Sequence, residues 1–234
     1  MASENEKEIN SINFKEKSMG LFGQALFDLY YNNTIEPFYV CIGDEEHQLD
    51  LGFYLTAQPD SLEEDLLAFG KGKFLDIGCG AGRIIRFLTA QGYDVVGIDI
   101  DSKLVNLCRE FTGQPIHLLS WEQMDVLGSF DTLLLCNRSL GIGGDIDGVK
   151  RLLKKCAVSA KPGGRLIFDS YEIKHKTGVL ERMLQYKYCG KYSDPFPWIY
   201  ISSDIAIQLL EQAGWRIEKV IREEDRYGVV ARKD

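Results

Sequence analysis

The chain has 234 residues, 45% of them hydrophobic, and a formal net charge of −8. That supports one good core, read as a single domain with embellishments, and the acidic balance argues against a large nucleic-acid footprint. No apolar stretch is long enough to span a bilayer, and Met1 to Lys17 has no signal-like apolar core, so a cytoplasmic protein without membrane contact is expected.

The one local basic run, Lys150-Arg151 with Lys154-Lys155, has helical spacing and reads as a solvated helix face. Six cysteines (Cys41, Cys79, Cys108, Cys136, Cys156, Cys189) are scattered without a C-x-x-C pair, as free thiols are in a reducing compartment. His47, His117 and His175 lack ligand spacing, so no metal is expected.

Taken in order, residues before about Ser18 read as a flexible lead-in. Leu21 to Tyr31 carries apolar residues at helical spacing. An irregular section with Pro37, Gly43 and the acids Asp44, Glu45 and Glu46 follows, and then the aromatic run Leu51 to Leu55. Ser61-Leu62-Glu63-Glu64 predicts a capping box, with its helix ending near Gly70 or Gly72. From Lys73 onward strands and helices alternate. The strands are Phe74–Ile77, Val95–Ile100, Ile116–Leu119, Thr132–Cys136 and Leu166–Asp169; the helices are Arg83–Gln91, Ser102–Phe111 and Asp147–Ala160. Such alternation implies crossover units and a parallel sheet covered on both faces.

Lys161-Pro162-Gly163-Gly164 breaks the third helix. A last helix around Leu209 ends at Gly214, and Trp215–Ile221 with Tyr227–Arg232 reads as a hairpin at the sheet edge. Between them, Tyr171–Ser203 is too long for a plain connection. Within it Leu184 to Tyr188 alternates like a strand and Asp194 to Trp198 is rigid and aromatic.

The chain is organised around Lys73-Phe74-Leu75-Asp76-Ile77-Gly78-Cys79-Gly80-Ala81-Gly82-Arg83. A strand runs into three alternate glycines and a helix start, which is how a nucleotide-binding edge is built. A dinucleotide fingerprint needs a third glycine where Arg83 stands. The spacing D-x-G-x-G-x-G instead resembles the first motif of class I S-adenosylmethionine (SAM) dependent methyltransferases. Val95-Val96-Gly97-Ile98-Asp99-Ile100-Asp101, Leu119-Ser120-Trp121-Glu122 and Phe130-Asp131 leading to Asn137 resemble later landmarks of that family, in order.

The resemblance covers Asp76 to Asp234. It implies a doubly wound α/β domain (residues 71–234) with a seven-stranded, mostly parallel sheet and an antiparallel C-terminal hairpin. Residues 1–70 would form an N-terminal helical lid, and 171–203 an insert on the substrate side. It also implies that Gly78, Cys79, Gly80 and Gly82 pass under the methionine part of SAM. Asp76 would organise the turn or bind the amino group through water. Arg83 would face the SAM carboxylate or else be an exposed helix residue. Asp99, followed by Ile100, would accept the ribose hydroxyls, while Asp101 caps a helix. At the third landmark many relatives carry an acid. Here Ser120 can bond and Trp121 can stack beside the adenine, with Glu122 as substitute acceptor. Asn137 falls at a strand end, where open α/β sheets bind ligands.

The function expected is methyl transfer from SAM, leaving S-adenosylhomocysteine (SAH), to a small molecule. Alternatives are a SAM- or SAH-binding protein without transfer activity and a nicotinamide oxidoreductase. No residue stands out as general base: Asn137, Asp169, Tyr171, His175, Tyr186, Tyr188, Tyr192 and Trp198 are all available. Asn137 lacks the flanking Pro-Pro-Tyr of nucleic-acid amino methyltransferases, and Cys136 lacks the proline expected for cytosine carbon methylation. On the acceptor side Tyr54, Asn137, Phe196 and Trp198 are expected to converge beside the SAM methyl. The atom methylated and the oligomeric state are not read from the sequence.

Overall fold

The computed structural model describes residues 19–34 and 36–234. The lead-in before Ser18 lies outside these residues. Seven strands form the main sheet: β3 (Lys73–Ile77), β4 (Asp94–Asp99), β5 (Ile116–Leu118), β6 (Phe130–Leu135), β7 (Ala160–Tyr171), β11 (Trp215–Arg222) and β12 (Arg226–Lys233). Their spatial order is β11-β12-β7-β6-β3-β4-β5. Only β12 runs against its neighbours, paired antiparallel to both β7 and β11. The chain winds outward from β3 to β5, then returns to β6 on the other side. The crevice at that reversal, beyond the strand ends, is where such sheets bind ligands.

Helices α4 (Arg83–Ala90), α5 (Ser102–Thr112), α6 (Ile146–Ser159) and α7 (Ser203–Gln212) cover the sheet. Central strands face helices on both sides, so Phe74, Leu75, Leu133, Leu134 and Leu166 are fully buried, with no polar alternation. The basic run sits on α6, where Lys150 pairs with Asp147 and Lys155 with Asp125 at the surface. The Lys161-Pro162-Gly163-Gly164 turn lies within the long β7, whose pairing with β6 shifts register there.

The segment expected as a helical lid holds helices and also a hairpin. Residues 19–32 form α1, followed by β1 (Phe38–Ile42), β2 (Glu45–Leu49), α2 (Leu51–Leu55) and α3 (Ser61–Leu67). The stretch read as irregular is therefore β1–β2. It carries no apolar alternation because four of the five residues of β2, Glu45 to Gln48, are exposed. The hairpin joins β8 (Val179–Tyr188), β9 (Lys191–Tyr192) and β10 (Phe196–Ile201) from the insert. Together they make a second, antiparallel sheet ordered β10-β8-β1-β2, with β9 beside β8.

The capping box is one residue earlier than the sequence spacing indicates. Asp60 accepts from the Glu63 amide and Glu63 accepts from the Asp60 amide, at 3.0 and 2.9 Å. Ser61 is instead the first helical residue, its hydroxyl 3.3 Å from Glu223. The aspartate wins because Glu63 must also reach Arg83, which fixes it as the third helical residue. Among the described residues no helix is long and apolar enough to cross a membrane.

Candidate active site

The glycine turn leaves β3 pinned to β4: the amides of Gly78 and Cys79 both donate to the Ile98 carbonyl, at 2.9 and 3.0 Å. Gly80 follows at φ +56°, a left-handed conformation that suits glycine, and a Cβ placed there would meet nothing within 4 Å. That open space belongs to a cavity of about 550 Å³ bordered by the ends of β3, β4 and β6 and by the second sheet. Gly82 has a different task. It starts α4 at φ +85°, and a Cβ there would stand 2.5 Å from Cys108 Sγ on α5. Gly82 is not among the residues bordering the cavity, and its packing against α5 is what requires glycine.

Two carboxylates lie beside Gly80. Asp76 is 3% exposed, borders the cavity and receives no hydrogen bond from the described residues, so it does not organise the turn through its side chain. Burial lifts its pKa to about 7, against the pull of Arg83. Asp99 opens into the cavity yet is enclosed by protein. Its Oδ2 accepts from the Gly80 amide at 2.9 Å and its Oδ1 from the Asp101 amide at 3.0 Å. Burial raises its pKa to about 6, with these amide bonds resisting. Asp101 caps α5 as expected, accepting from Lys103 and Leu104.

Arg83 is neither exposed nor free. Its guanidinium grips Glu63 at 2.5 and 2.6 Å, donates to the Gln58 carbonyl at 2.9 Å and lies over the Phe53 ring at 4.3 Å. Both side chains are buried, so α2, α3 and α4 are locked together behind the turn.

Ser120 and Trp121 border the cavity with Ile100, and Ser120 caps the 3-10 turn Trp121–Leu127 while bonding Glu122. Asn137 closes β6 at φ +56°, and Arg138 follows at φ +65°. Two successive non-glycine residues in that region mark stored strain of the kind concentrated at working sites. Cys136 also borders the cavity, its thiol pKa pushed well up by burial.

The second sheet roofs the cavity. Its register puts Val40, Ile42, Leu184, Tyr186, Phe196, Trp198 and Tyr200 on one face, and all seven border the cavity. Trp198 is seated by Gly141, where a Cβ would fall 2.1 Å from the indole nitrogen. Tyr54 reaches the cavity from α2, its ring 5.0 Å from Phe22. Tyr54, Asn137, Phe196 and Trp198 thus border one cavity with the glycine turn. Tyr171 borders the cavity as well, whereas three other candidates lie elsewhere. Asp169 is buried against Arg226 and the Arg138 amide, Tyr188 bonds Asp28, and His175 bonds Thr177 at the surface. Arg138, Tyr200 and His47 also border the cavity and were not singled out from the sequence. Arg138 was reachable as the neighbour of a strand-end residue; His47 sits on a strand with no sequence signature.

A family model described as a methyltransferase domain matches residues 75–168. A putative methyltransferase of Bacillus subtilis, YqeM, is 31% identical over 104 residues, 42% of each chain. A ubiquinone biosynthesis O-methyltransferase of Coxiella burnetii is 29% identical over 107 residues, 43% of this chain and 44% of its own. The chain thus spans under half the length of these curated relatives. Among solved structures, a SAM-dependent methyltransferase from Bacteroides fragilis in complex with SAH superposes with a TM-score of 0.81. It shares 22% identity over 92% of this chain and 94% of its own. A Burkholderia thailandensis 1,6-didemethyltoxoflavin-N1-methyltransferase, solved with 1,6-didemethyltoxoflavin and SAH, gives 0.61 at 16% identity, covering 100% of this chain and 91% of its own.

Proposed function

We propose that this chain, whose residues 75–168 belong to the methyltransferase-domain family and whose fold is that of class I SAM-dependent methyltransferases, transfers a methyl group from SAM to a small molecule held beneath the second sheet. One observation carries the reading: Asp76 is a buried carboxylate that receives no hydrogen bond from the described residues, facing a cavity beside an open glycine cradle. An unpaired buried charge is costly unless a ligand completes it. The ammonium of SAM is such a ligand, and the ribose hydroxyls suit Asp99.

The donor set fits the group. Gly78, Cys79 and Gly80 give backbone without crowding, Asp99 and Ile100 would hold the ribose, and Ser120 and Trp121 would hold the purine. When bound, SAM supplies an electrophilic methyl on a sulfonium, open to in-line attack. The chain's part is to orient and enclose. Asp99, fixed by the Gly80 and Asp101 amides, holds the turn in the shape that receives the ligand. The roof excludes water from the cavity and brings aromatic faces to a site that stabilises positive charge. Positioning of this kind supplies much of the acceleration in a displacement reaction. In this assignment residues 71–170 and 204–234 carry the cofactor, and residues 19–70 with 171–203 carry the acceptor.

Calorimetric titration with SAM, SAH, NAD and NADP tests the reading, followed by an SAH-release screen of acceptors. SAM and SAH should bind and the nicotinamides should not. Nicotinamide binding in place of SAM would overturn it, and SAM binding without turnover on any acceptor would leave a binding protein.

A further inference from the structure

The cavity is acidic where β3 and β4 end, at Asp76 and Asp99, and changes sign toward β6 and β7. Two guanidinium groups, Arg83 and Arg138, and the His47 imidazole border it. Arg83 is consumed by Glu63, and His47 stands 3.4 Å from Glu45. Among the described residues Arg138 has no carboxylate within ion-pair distance of its guanidinium. Its Nη1 donates to the Tyr171 hydroxyl at 3.1 Å and its Nη2 to the Asn137 side-chain oxygen, both neutral acceptors. Asp169 feels the Arg138 charge but makes its contacts with other groups: its Oδ1 takes the Arg138 backbone amide and its Oδ2 pairs with Arg226, each at 3.3 Å. A guanidinium has five N–H donors, so Arg138 keeps donors to spare.

The surroundings are aromatic. The Arg138 guanidinium lies 5.1 Å from the Tyr171 ring centre, and that ring is 5.8 Å from Tyr200. Trp198 is held close by on Gly141. Such walls take a flat ring by stacking and edge contacts, while a half-buried guanidinium in a planar fork takes a carboxylate in two-point fashion.

We propose that the methyl acceptor is an aromatic carboxylate, its ring among Tyr171, Trp198 and Tyr200 and its carboxylate paired with Arg138. The proposal rests on the function above, which places the acceptor beneath the roof. Arg138 is then a specificity-determining residue. Its left-handed backbone aims the guanidinium, and Asn137 and Tyr171 hold it in place.

The test is calorimetry on the SAH-loaded full chain with three probes: benzoate, methyl benzoate and acetate. Benzoate should bind saturably at millimolar concentration or below, methyl benzoate about tenfold more weakly and acetate not measurably, as loss of a charge-assisted bond or of the ring demands. Arg138→Gln should weaken benzoate about tenfold or more while leaving SAH affinity intact, which also shows the variant folded, and Arg138→Lys should recover part of the loss. Equal binding of acid and ester, no saturable benzoate binding, or an Arg138→Gln protein that binds benzoate normally would each overturn the proposal. Loss of SAH together with benzoate would assign Arg138 to the cofactor carboxylate and overturn it equally. Failure of the wild-type chain to bind SAH at all is a separate result, and it removes the underlying function along with the proposal.

Discussion

The floor and the roof of the cavity are made from different kinds of sequence. The floor is local: β3, the glycine turn and α4 are consecutive, and Asp99 reaches back only to Gly80 to fix them. The roof is assembled from pieces far apart, with Val40 paired to Tyr186 and Ile42 to Leu184. The floor is charged, buried and stitched by hydrogen bonds, whereas the inner face of the roof is aromatic and aliphatic. Damage to the floor should therefore cost fold and cofactor together, and damage to the roof should fall on the acceptor alone.

The largest effect is expected at Glu63. Replacing it with alanine strands the buried Arg83 guanidinium and removes half of the α3 capping box. Breaking a buried pair from one side costs about 3–5 kcal/mol, read as a lower midpoint in urea unfolding at an unchanged slope. A loss under about 1 kcal/mol would mean that the pair is solvated like a surface bridge.

Next comes Asp99→Ala, expected to weaken SAH by roughly 1.5–3 kcal/mol for each charged hydrogen bond lost. Because Asp99 also holds the Gly80 amide, some stability should go with it. Unchanged SAH affinity in calorimetry would remove Asp99 from the ribose site. Gly80→Val puts its Cβ in open cavity but strains the backbone at φ +56°, so binding should fail in a protein that still folds with a lower midpoint in urea unfolding. Gly82→Val, against Cys108, should instead fail as a fold.

The floor should also titrate. In the unfolded chain both aspartates ionise near 3.9, and in the folded protein at about 7 (Asp76) and about 6 (Asp99). The folded state therefore binds more protons across that interval. Its ligand-free stability should fall as pH rises from about 4 to about 7. An ammonium and ribose hydroxyls favour the ionised carboxylates, so SAH affinity should rise over the upper part of the same window. Asp76→Asn should flatten that rise, and a pH-independent affinity in both proteins would remove Asp76 from the site.

The roof gives smaller and more selective effects. Trp198→Ala should lower turnover on any acceptor found while leaving SAH affinity in place; loss of both would mean that the roof supports the floor. On its outer face Lys187 bridges Glu46 at 2.7 Å. Removing Lys187 should leave the midpoint of urea unfolding nearly unchanged, because exposed ion pairs contribute little.

The same contrast decides what was legible in the sequence. The main sheet could be read because buried parallel strands leave unbroken apolar runs and each glycine turn sits beside its own strand. The cavity border was legible where one motif carries it, at Gly80, Asp99 and Asn137. It was not legible at Gly82, whose spacing matches the motif but whose demand for glycine comes from Cys108 one helix away. Nor could Arg83 be placed, since its partner Glu63 lies twenty residues earlier. The β1–β2 hairpin escaped notice because its outer strand, Glu45 to Leu49, is almost wholly charged or polar. Its role depends on an insert whose pairing no local pattern announces.

The pairing of β1 with β8 also sets a timetable. Val40 must find Tyr186, 146 residues later, and at about 5–20 residues per second a ribosome needs roughly 7–30 s to deliver it. Through that interval Phe38 and its neighbours have only the adjacent β2 to pair with, while β3, β4 and β5 emerge in an order that lets each add to the last and β6 then adds to β3. The nascent chain should hence acquire its cofactor edge well before its acceptor chamber. A ligand that binds the edge alone could then template the rest.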